Sequence, residues 1–234
     1  MTYIILIAGK GTRLHPLTLT TPKTLYKLDK NTTVLQRMVA MIRKHDSEAR
    51  IVLVTGFMHE TIEKKISNVI FVNNPFYEIT NSIASLWFAR QYMDDNNVTI
   101  INGDVVMEEE LIQKELCRIV DKPTIMLDSS IKTEGDYNVQ VNNGKVLVMS
   151  KDLEDYFGEY AGVTKLDKKS GKELHDEICK MVENGMYDQW YENALVQMIF
   201  NKDFNLNYID IRDYSWVEVD HVNDLLLAKK IHIG

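Results

Sequence analysis

Tyr3 to Ile7 form an unbroken apolar run, rich in β-branched side chains, that stops at Gly9, Gly11 and Arg13. A strand with one wet face alternates apolar and polar residues. This run does not, so it is expected inside a parallel sheet with helices over both faces. Glycines directly after such a strand let the backbone turn tightly and bring its N–H groups close to an anion. Arg13 adds a planar fork that matches phosphate oxygens, and Lys23 follows Pro22, whose fixed φ favours a placed side chain. Together these suit a polyphosphate. The loop is not the dinucleotide fingerprint, which needs a third glycine opening a helix, nor the phosphate loop that ends in Gly-Lys-Ser/Thr. On pattern alone the glycines equally fit a structural turn, and Lys23 a solvated surface lysine.

The rest of the first half keeps the same rhythm. "TVLQRMVAMIRKH" places Val34, Leu35, Met38, Met41 and Ile42 on one helical face, with Thr32 or Thr33 as cap. Strands are expected at "IVLVTG", "VIFVN", "VTIING" and "TIMLDSS", separated by helices at Met58–Ile66, "NSIASLWFARQYM" and "EELIQKELCRIV". Such repetition implies an α/β fold, a Rossmann-like and mainly parallel sheet flanked by helices. Ligands on such sheets bind at the carboxyl ends of the strands, where the Gly9–Arg13 loop and the Gly103, Asp104 pair both lie. The second half changes character. Asn143-Gly144 marks a hairpin inserted in "YNVQVNNGKVLVMSKDL". Strands at "GEYAGVTKL", "NLNYIDI" and "SWVEVD" alternate with helices at "GKELHDEICKMVENG", "WYENALVQMIF" and "NDLLLAKKI", the last expected to be capped by Asn223.

The chain has 234 residues, 45% hydrophobic and 26% charged, the composition of a soluble globular protein. A net charge of -7 argues against a nucleic-acid partner but not against a small phosphorylated one. Cys117 and Cys179 lie far apart in helical segments and are expected as reduced thiols. No apolar stretch is long enough to span a bilayer and Met1 leads straight into a strand, so no membrane association and a cytoplasmic location are expected. Asp104 and Asp220 both end strands; a pair of strand-end carboxylates beside a phosphate loop is a good ligand set for magnesium. The plainer alternatives are a turn-forming aspartate and a helix cap.

At this point "LIAGKGTRLHPLTLTTPKTL" resembles the signature of the nucleotidyltransferases that activate sugar phosphates and phosphocholine, L-A-A-G-x-G-(S/T)-R followed by P-K. "NPFYEITNSIASLWFAR", "INGDVVM", "GKVLVMSKDL", "GEYAGVTKL", "WYENAL" and "WVEVDHVNDLLLAKKI" follow in the family's order, nearly end to end. The branch most resembled is the CTP:phosphocholine cytidylyltransferases of bacterial surface-polysaccharide pathways. Two departures are Ile7 in place of a common alanine and "LDKNTTVLQ" in place of a Gly-Lys-Pro-like turn. The resemblance implies one nucleotidyltransferase domain over 1–234: a nucleotide-binding part to about 130, an acceptor-binding part to about 215, and a closing strand and helix.

The same resemblance implies that Ala8, Gly9, Gly11, Thr12 and Arg13 wrap the triphosphate of CTP. Lys23 would act with Arg13 at the reacting phosphate, Asp104 and Asp220 would hold Mg2+, and Asn81, Ser82 and Ser85 would meet base or ribose. Lys151 would approach the acceptor phosphate. For a choline-like headgroup, an aromatic cage with an acid is expected: Tyr160, Tyr187, Trp190, Tyr191 and Trp216 are candidate walls, and Glu192, Asp188 and Glu218 candidate acids, Glu192 foremost. Core packing is the alternative for each aromatic. A phosphonate, a phosphorylated amino acid or a sugar 1-phosphate are the other acceptors weighed. A non-catalytic nucleotide-binding module is the rival from another class, disfavoured because Arg13, Lys23, Asp104 and Asp220 are all present. No marker sets the oligomeric state, and a homodimer is admitted as one arrangement.

Overall fold

The computed structural model describes residues 1–131 and 137–233. The opening apolar run forms β1 (Thr2–Leu6), an interior strand of a nine-stranded sheet. It pairs in parallel with β2 (Arg50–Thr55) on one side and β4 (Asn97–Asn102) on the other, and β3 (Ile70–Asn73) lies beyond β2. Tyr3, Ile4 and Ile5 are wholly buried. Successive side chains leave a strand on opposite faces, so they feed two cores. Tyr3 and Ile5 pack with Leu35, Met38 and Ile42 of α1 (Val34–His45) and with Ile62 of α2 (His59–Glu63). Ile4 faces Ile83 and Leu86 of α3 (Ser82–Phe88), Leu174 and Ile178 of α5 (Lys168–Glu183), and Leu195 and Met198 of α6 (Glu192–Lys202).

Beyond β4 the sheet is mixed. β9 (Gly158–Asp167) runs antiparallel to both β4 and β6 (Thr124–Asp128), and β10 (Asn207–Asp210) returns parallel to β6. The expected hairpin, β7 (Asn138–Asn142) and β8 (Lys145–Ser150), continues this same sheet beyond β10 and folds back so that β7 also pairs with β9. Its turn residues Asn143 and Gly144 both take positive φ (49° and 76°), matching the tight primed turns that suit the twist of paired strands. A separate antiparallel ribbon joins β5 (Val105–Met107) to β11 (Trp216–Glu218).

Helix boundaries mostly follow local chemistry. Thr33 caps α1 through a reciprocal pair with Gln36. Asn223 does not cap the last helix, α7 (Val222–Ile233), but lies within it. Asp224 instead reaches back, accepting from the amides of Asp220 (3.0 Å) and His221 (2.6 Å), because a carboxylate in the first turn satisfies orphan N–H groups. The expected "EELIQKELCRIV" helix is α4 (Glu109–Leu111) passing into a wider π-turn at Ile112–Leu116. The buried Lys165 ammonium closes that turn, donating to the carbonyls of Glu115, Leu116 and Arg118. Cys117 and Cys179 are free and half-buried. No helix among the described residues is long and apolar enough to cross a membrane.

Candidate active site

The loop after β1 is tied to β2: Ile7 N–H donates to Val54 O (2.9 Å) and Phe57 N–H to Ala8 O (3.0 Å). Gly11 needs to be glycine, because its φ is 63° and the aliphatic stem of Lys23 packs where a Cβ would stand, 3.2 Å away. A Cβ on Gly9 would meet nothing within 4 Å, so the backbone there is bare toward the cleft. Short 3-10 turns follow at Thr12–Leu14 and Lys23–Leu25. Leu14 anchors the first by packing with Val219 and Ala228, and Leu25 N–H to Pro22 O (2.9 Å) closes the second. Arg13 and Lys23 are thereby aimed at one place.

The β5–β11 ribbon brings the two aspartates to that place. Val105 pairs with Glu218, and the Val219 amide donates to Asp104 O (3.0 Å), so Asp104 and Asp220 flank the ribbon's end. The Lys23 ammonium bridges them, in contact with Asp104 Oδ2 and 3.0 Å from Asp220 Oδ1. Arg13 Nη1 lies 2.5 Å from Asp220 Oδ2. Burial pulls the Lys23 pKa down, but the two carboxylates outweigh it and hold the ammonium above the ordinary lysine range. Two cations thus balance two anions. Asp104 Oδ1 is buried without a hydrogen-bond partner, so this pair retains a lone hard oxygen of the kind a divalent cation takes. Gly103 sets the approach: a Cβ there would lie 2.0 Å from Ile7 Cγ2 and 2.8 Å from Leu6 O. Gly103→Ala is therefore expected to cost about 1–3 kcal/mol in stability and to displace Asp104, seen as a lower Tm. An unchanged Tm would mean that β1 yields freely at this point.

These groups line a cleft of about 290 Å³ that also takes in Ala8, Gly9, Gly11, Thr12, Tyr77, Thr80, Asn81, Ser82, Ser85, Trp190, Glu192 and Glu218. Most expected site residues converge there. The α3 end is stiffened by polar bonds: Asn81 Oδ1 accepts from Ser82 N–H (2.8 Å), and Asn74 Nδ2 donates to Ser85 Oγ (3.0 Å) and Thr80 Oγ1 (3.1 Å). At the other end the Trp190 ring stacks on Tyr137, with centroids 5.9 Å apart and planes at 16°, and Lys151 Nζ sits 3.8 Å from its centroid. Glu192 is 1% exposed and its Oε2 has no partner. Burial pushes its pKa up to about 8, opposed by its own helix-start amide and by Lys151.

Several expectations need correction. Tyr160 is not a cleft wall: it is buried behind the cleft, its hydroxyl bonded to Thr164 Oγ1 (2.9 Å) and Tyr191 OH (2.5 Å). A phenol that finds partners in the core stays there. Tyr191 is buried in the same cluster, and Trp216 turns its indole N–H to Asp128 Oδ2 (2.9 Å). Lys151 is exposed and does not itself line the cleft; its ammonium lies over the Trp190 ring and acts on the Glu192 carboxyl through its charge. Tyr77, Thr80 and Asn102 line the cleft without having been singled out. Tyr77 is wedged where Gly56 leaves room, since a Cβ on Gly56 would be 2.8 Å from both Tyr77 Cβ and Ala8 O. Its only sequence signal is an aromatic inside "NPFYEIT".

A family model described as nucleotidyl transferase matches residues 2–139, the span that carries the loop, Lys23 and Asp104. The chain belongs to the nucleotidyl transferase family. Among curated relatives of this nucleotidyl transferase, a CTP:phosphoglutamine cytidylyltransferase from Campylobacter jejuni is 24% identical over 96% of this chain and 98% of its own. A 2-aminoethylphosphonate cytidylyltransferase from Lancefieldella rimae is 32% identical over 47% of this chain and 45% of its own. In fold, the nucleotidyl transferase superposes on a CTP:phosphocholine cytidylyltransferase from Streptococcus pneumoniae with a TM-score of 0.81 at 20% identity, covering 99% of this chain and 98% of that one.

Proposed function

We propose that this protein is a magnesium-dependent cytidylyltransferase that joins CTP to a small, amine-bearing phosphorylated acceptor, giving a CDP-activated product and pyrophosphate. The observation that carries the proposal is the Lys23 ammonium held between Asp104 and Asp220 at the mouth of the glycine loop. The named relatives act with CTP on phosphoglutamine, 2-aminoethylphosphonate and phosphocholine, which supports cytidine and a compact acceptor.

The bare backbone at Gly9 and the amides of the following turn receive the triphosphate. An acceptor phosphate oxygen attacks the α-phosphorus; that P–O bond forms as the bond to the pyrophosphate oxygen breaks. A phosphomonoester already carries about -1.5 to -2 charge at neutral pH, so no side chain must remove a proton first. The obstacle is repulsion between two anions. Arg13 and Lys23 meet it by leaving their carboxylate partners for phosphate oxygens, where their charge stabilises the transition state. Asp104 and Asp220 would hold magnesium, which when bound neutralises phosphate charge. The four side chains sum to zero charge among themselves, so a polyanionic substrate entering this site calls for an added cation. Glu192, buried at the Trp190 end with Oε2 left without a partner, offers a carboxyl group to an amine.

The test is pyrophosphate release with magnesium, crossing the four ribonucleoside triphosphates against phosphocholine, phosphoethanolamine, aminoethylphosphonate, phosphorylated amino acids, glycerol phosphate and glucose 1-phosphate. Release with CTP and one amine-bearing acceptor is expected. Release only with glucose 1-phosphate would replace the acceptor, and no release with any pair would overturn the proposal.

A further inference from the structure

Tyr191 stands between the two residues that shape the acceptor end of the cleft, Trp190 and Glu192, and it is bonded at both of its own ends. Its amide donates to Ser82 Oγ (2.9 Å), across 109 residues of sequence. Its phenol lies in a buried cluster with Tyr160 OH (2.5 Å) and Thr164 Oγ1 (3.1 Å). The contact with α3 continues on either side, from the Asn81 amide to Tyr187 O (3.1 Å) and from the Ile83 amide to Gln189 O (3.2 Å). Tyr191 begins α6 without a side-chain cap; within its own segment its carbonyl accepts from the Ala194 amide (2.9 Å), while its amide and phenol are held from elsewhere. The Ser82 hydroxyl is therefore engaged with the segment that carries Trp190 and Glu192, although the family resemblance implied a nucleotide contact for it.

We infer that Ser82 and Tyr160 are positioning residues for the acceptor: they clamp Tyr191 at amide and phenol and thereby hold the Trp190 ring and the Glu192 carboxyl in the cleft. Neither touches the reacting atoms. This rests on the proposed cytidylyltransferase activity for its kinetic consequence, but not for its structural one. The tyrosine hydroxyls in the cluster satisfy one another away from solvent, so the phenol end is stiff. At the amide end the Ser82 hydroxyl is the one side-chain bond beside two backbone bonds to α3, and Ser82→Ala removes the one that reaches Tyr191 itself.

Two readouts test the assignment on Ser82→Ala, Ser82→Thr and Tyr160→Phe. The first is the carboxyl titration of Glu192 by carbon-13 NMR in protein without substrate. Ser82→Ala is expected to bring the midpoint down toward the ordinary carboxylate range as the group swings toward water, and Ser82→Thr, which keeps the hydroxyl, to leave it in place. The second is steady-state kinetics with the acceptor that the wild type uses among phosphocholine, phosphoethanolamine and aminoethylphosphonate. Losing one buried hydrogen bond is expected to raise the acceptor KM about five- to tenfold in Ser82→Ala, and less in Tyr160→Phe, where Thr164 still holds the phenol. The KM for CTP should change far less, because the Ser82 hydroxyl is already engaged by the Tyr191 amide. A raised KM for CTP with an unchanged acceptor KM would make Ser82 a nucleotide contact and overturn the inference, as would a Glu192 titration that Ser82→Ala does not move. A wild type inactive with every acceptor would defeat the proposed function, yet the titration would still decide whether Ser82 positions Glu192.

Discussion

Exchanging Lys23 for alanine is expected to lower kcat by about 10²–10³-fold, the loss seen when one preorganised electrostatic group is taken from a transition state. The KM for CTP should change far less, since the loop backbone proposed to meet the triphosphate keeps its own bonds to β2 and its neighbours. The resting protein responds too. Lys23 is the only side chain bonded to both Asp104 and Asp220 among the described residues, and without it the two carboxylates face each other with Arg13 alone to offset them. A lower Tm in metal-free buffer is expected, recovered by millimolar magnesium more fully than in the wild type because the ion no longer competes with an ammonium. Between pH 6 and 9 neither effect should vary with Lys23 itself. Its folded pKa is raised, so the stability its charge contributes is present throughout that range and is lost only as pH climbs through the raised value. Comparing kcat and thermal melts for the wild type and Lys23→Ala, with and without magnesium, checks all of this. A variant within a few-fold of wild-type kcat would remove Lys23 from the chemistry.

Local patterns made the first half of the chain legible. A short, β-branched apolar run without alternation, closed by glycines, suits an interior strand, and those glycines, then Pro22 and Lys23, are separated by so few residues that one turn sequence positions them all. The aspartates were legible as a pair of strand-end carboxylates, but the geometry that joins them was not. Their meeting depends on the β5–β11 ribbon, and "VVM" is too short to announce itself as a strand. The second half was harder for a related reason. Along β9 the side chains alternate faces, and whether Tyr160 meets the cleft or the core depends on the mixed pairing of that strand with β4 and β6, which periodicity does not encode. A glutamate in the first turn of a helix is ordinarily a solvated partner of the helix dipole, so only the family resemblance singled out Glu192, and only the fold shows that it is buried. Tyr77 escaped because its placement comes from the missing side chain of Gly56, a contact between loops distant in sequence.

Glu192→Gln carries the second large effect and a distinctive pH signature. Glutamine keeps the volume and cannot become an anion, so an amine-bearing acceptor would lose its buried counter-charge. Breaking one side of such a pair costs about 2–5 kcal/mol, or about 30- to several-thousand-fold in acceptor kcat/KM. In the free protein the wild-type carboxyl titrates near pH 8, because burial disfavours its charged form. At pH 7 it therefore holds its proton, and binding a cationic amine must release it. The wild-type acceptor KM should accordingly fall as pH rises from 6 to 8 and level off above, while that of the variant lacks this component. The phosphate step of the acceptor near pH 6 is common to both proteins and cancels in the ratio. Stability runs the other way. With the folded pKa above the unfolded one, the folded state binds the extra proton between about 4.5 and 8, so the wild type loses stability across that window as pH rises. Glu192→Gln has no such proton to lose, and its Tm relative to the wild type should improve from pH 5 to pH 8. Acceptor KM and thermal melts for both proteins at pH 5, 6, 7, 8 and 9 test the two trends together. If Gln at this position left acceptor KM and both pH profiles as they were, the carboxyl would have no part in holding the acceptor, and the amine would have to be recognised by the Trp190 face alone.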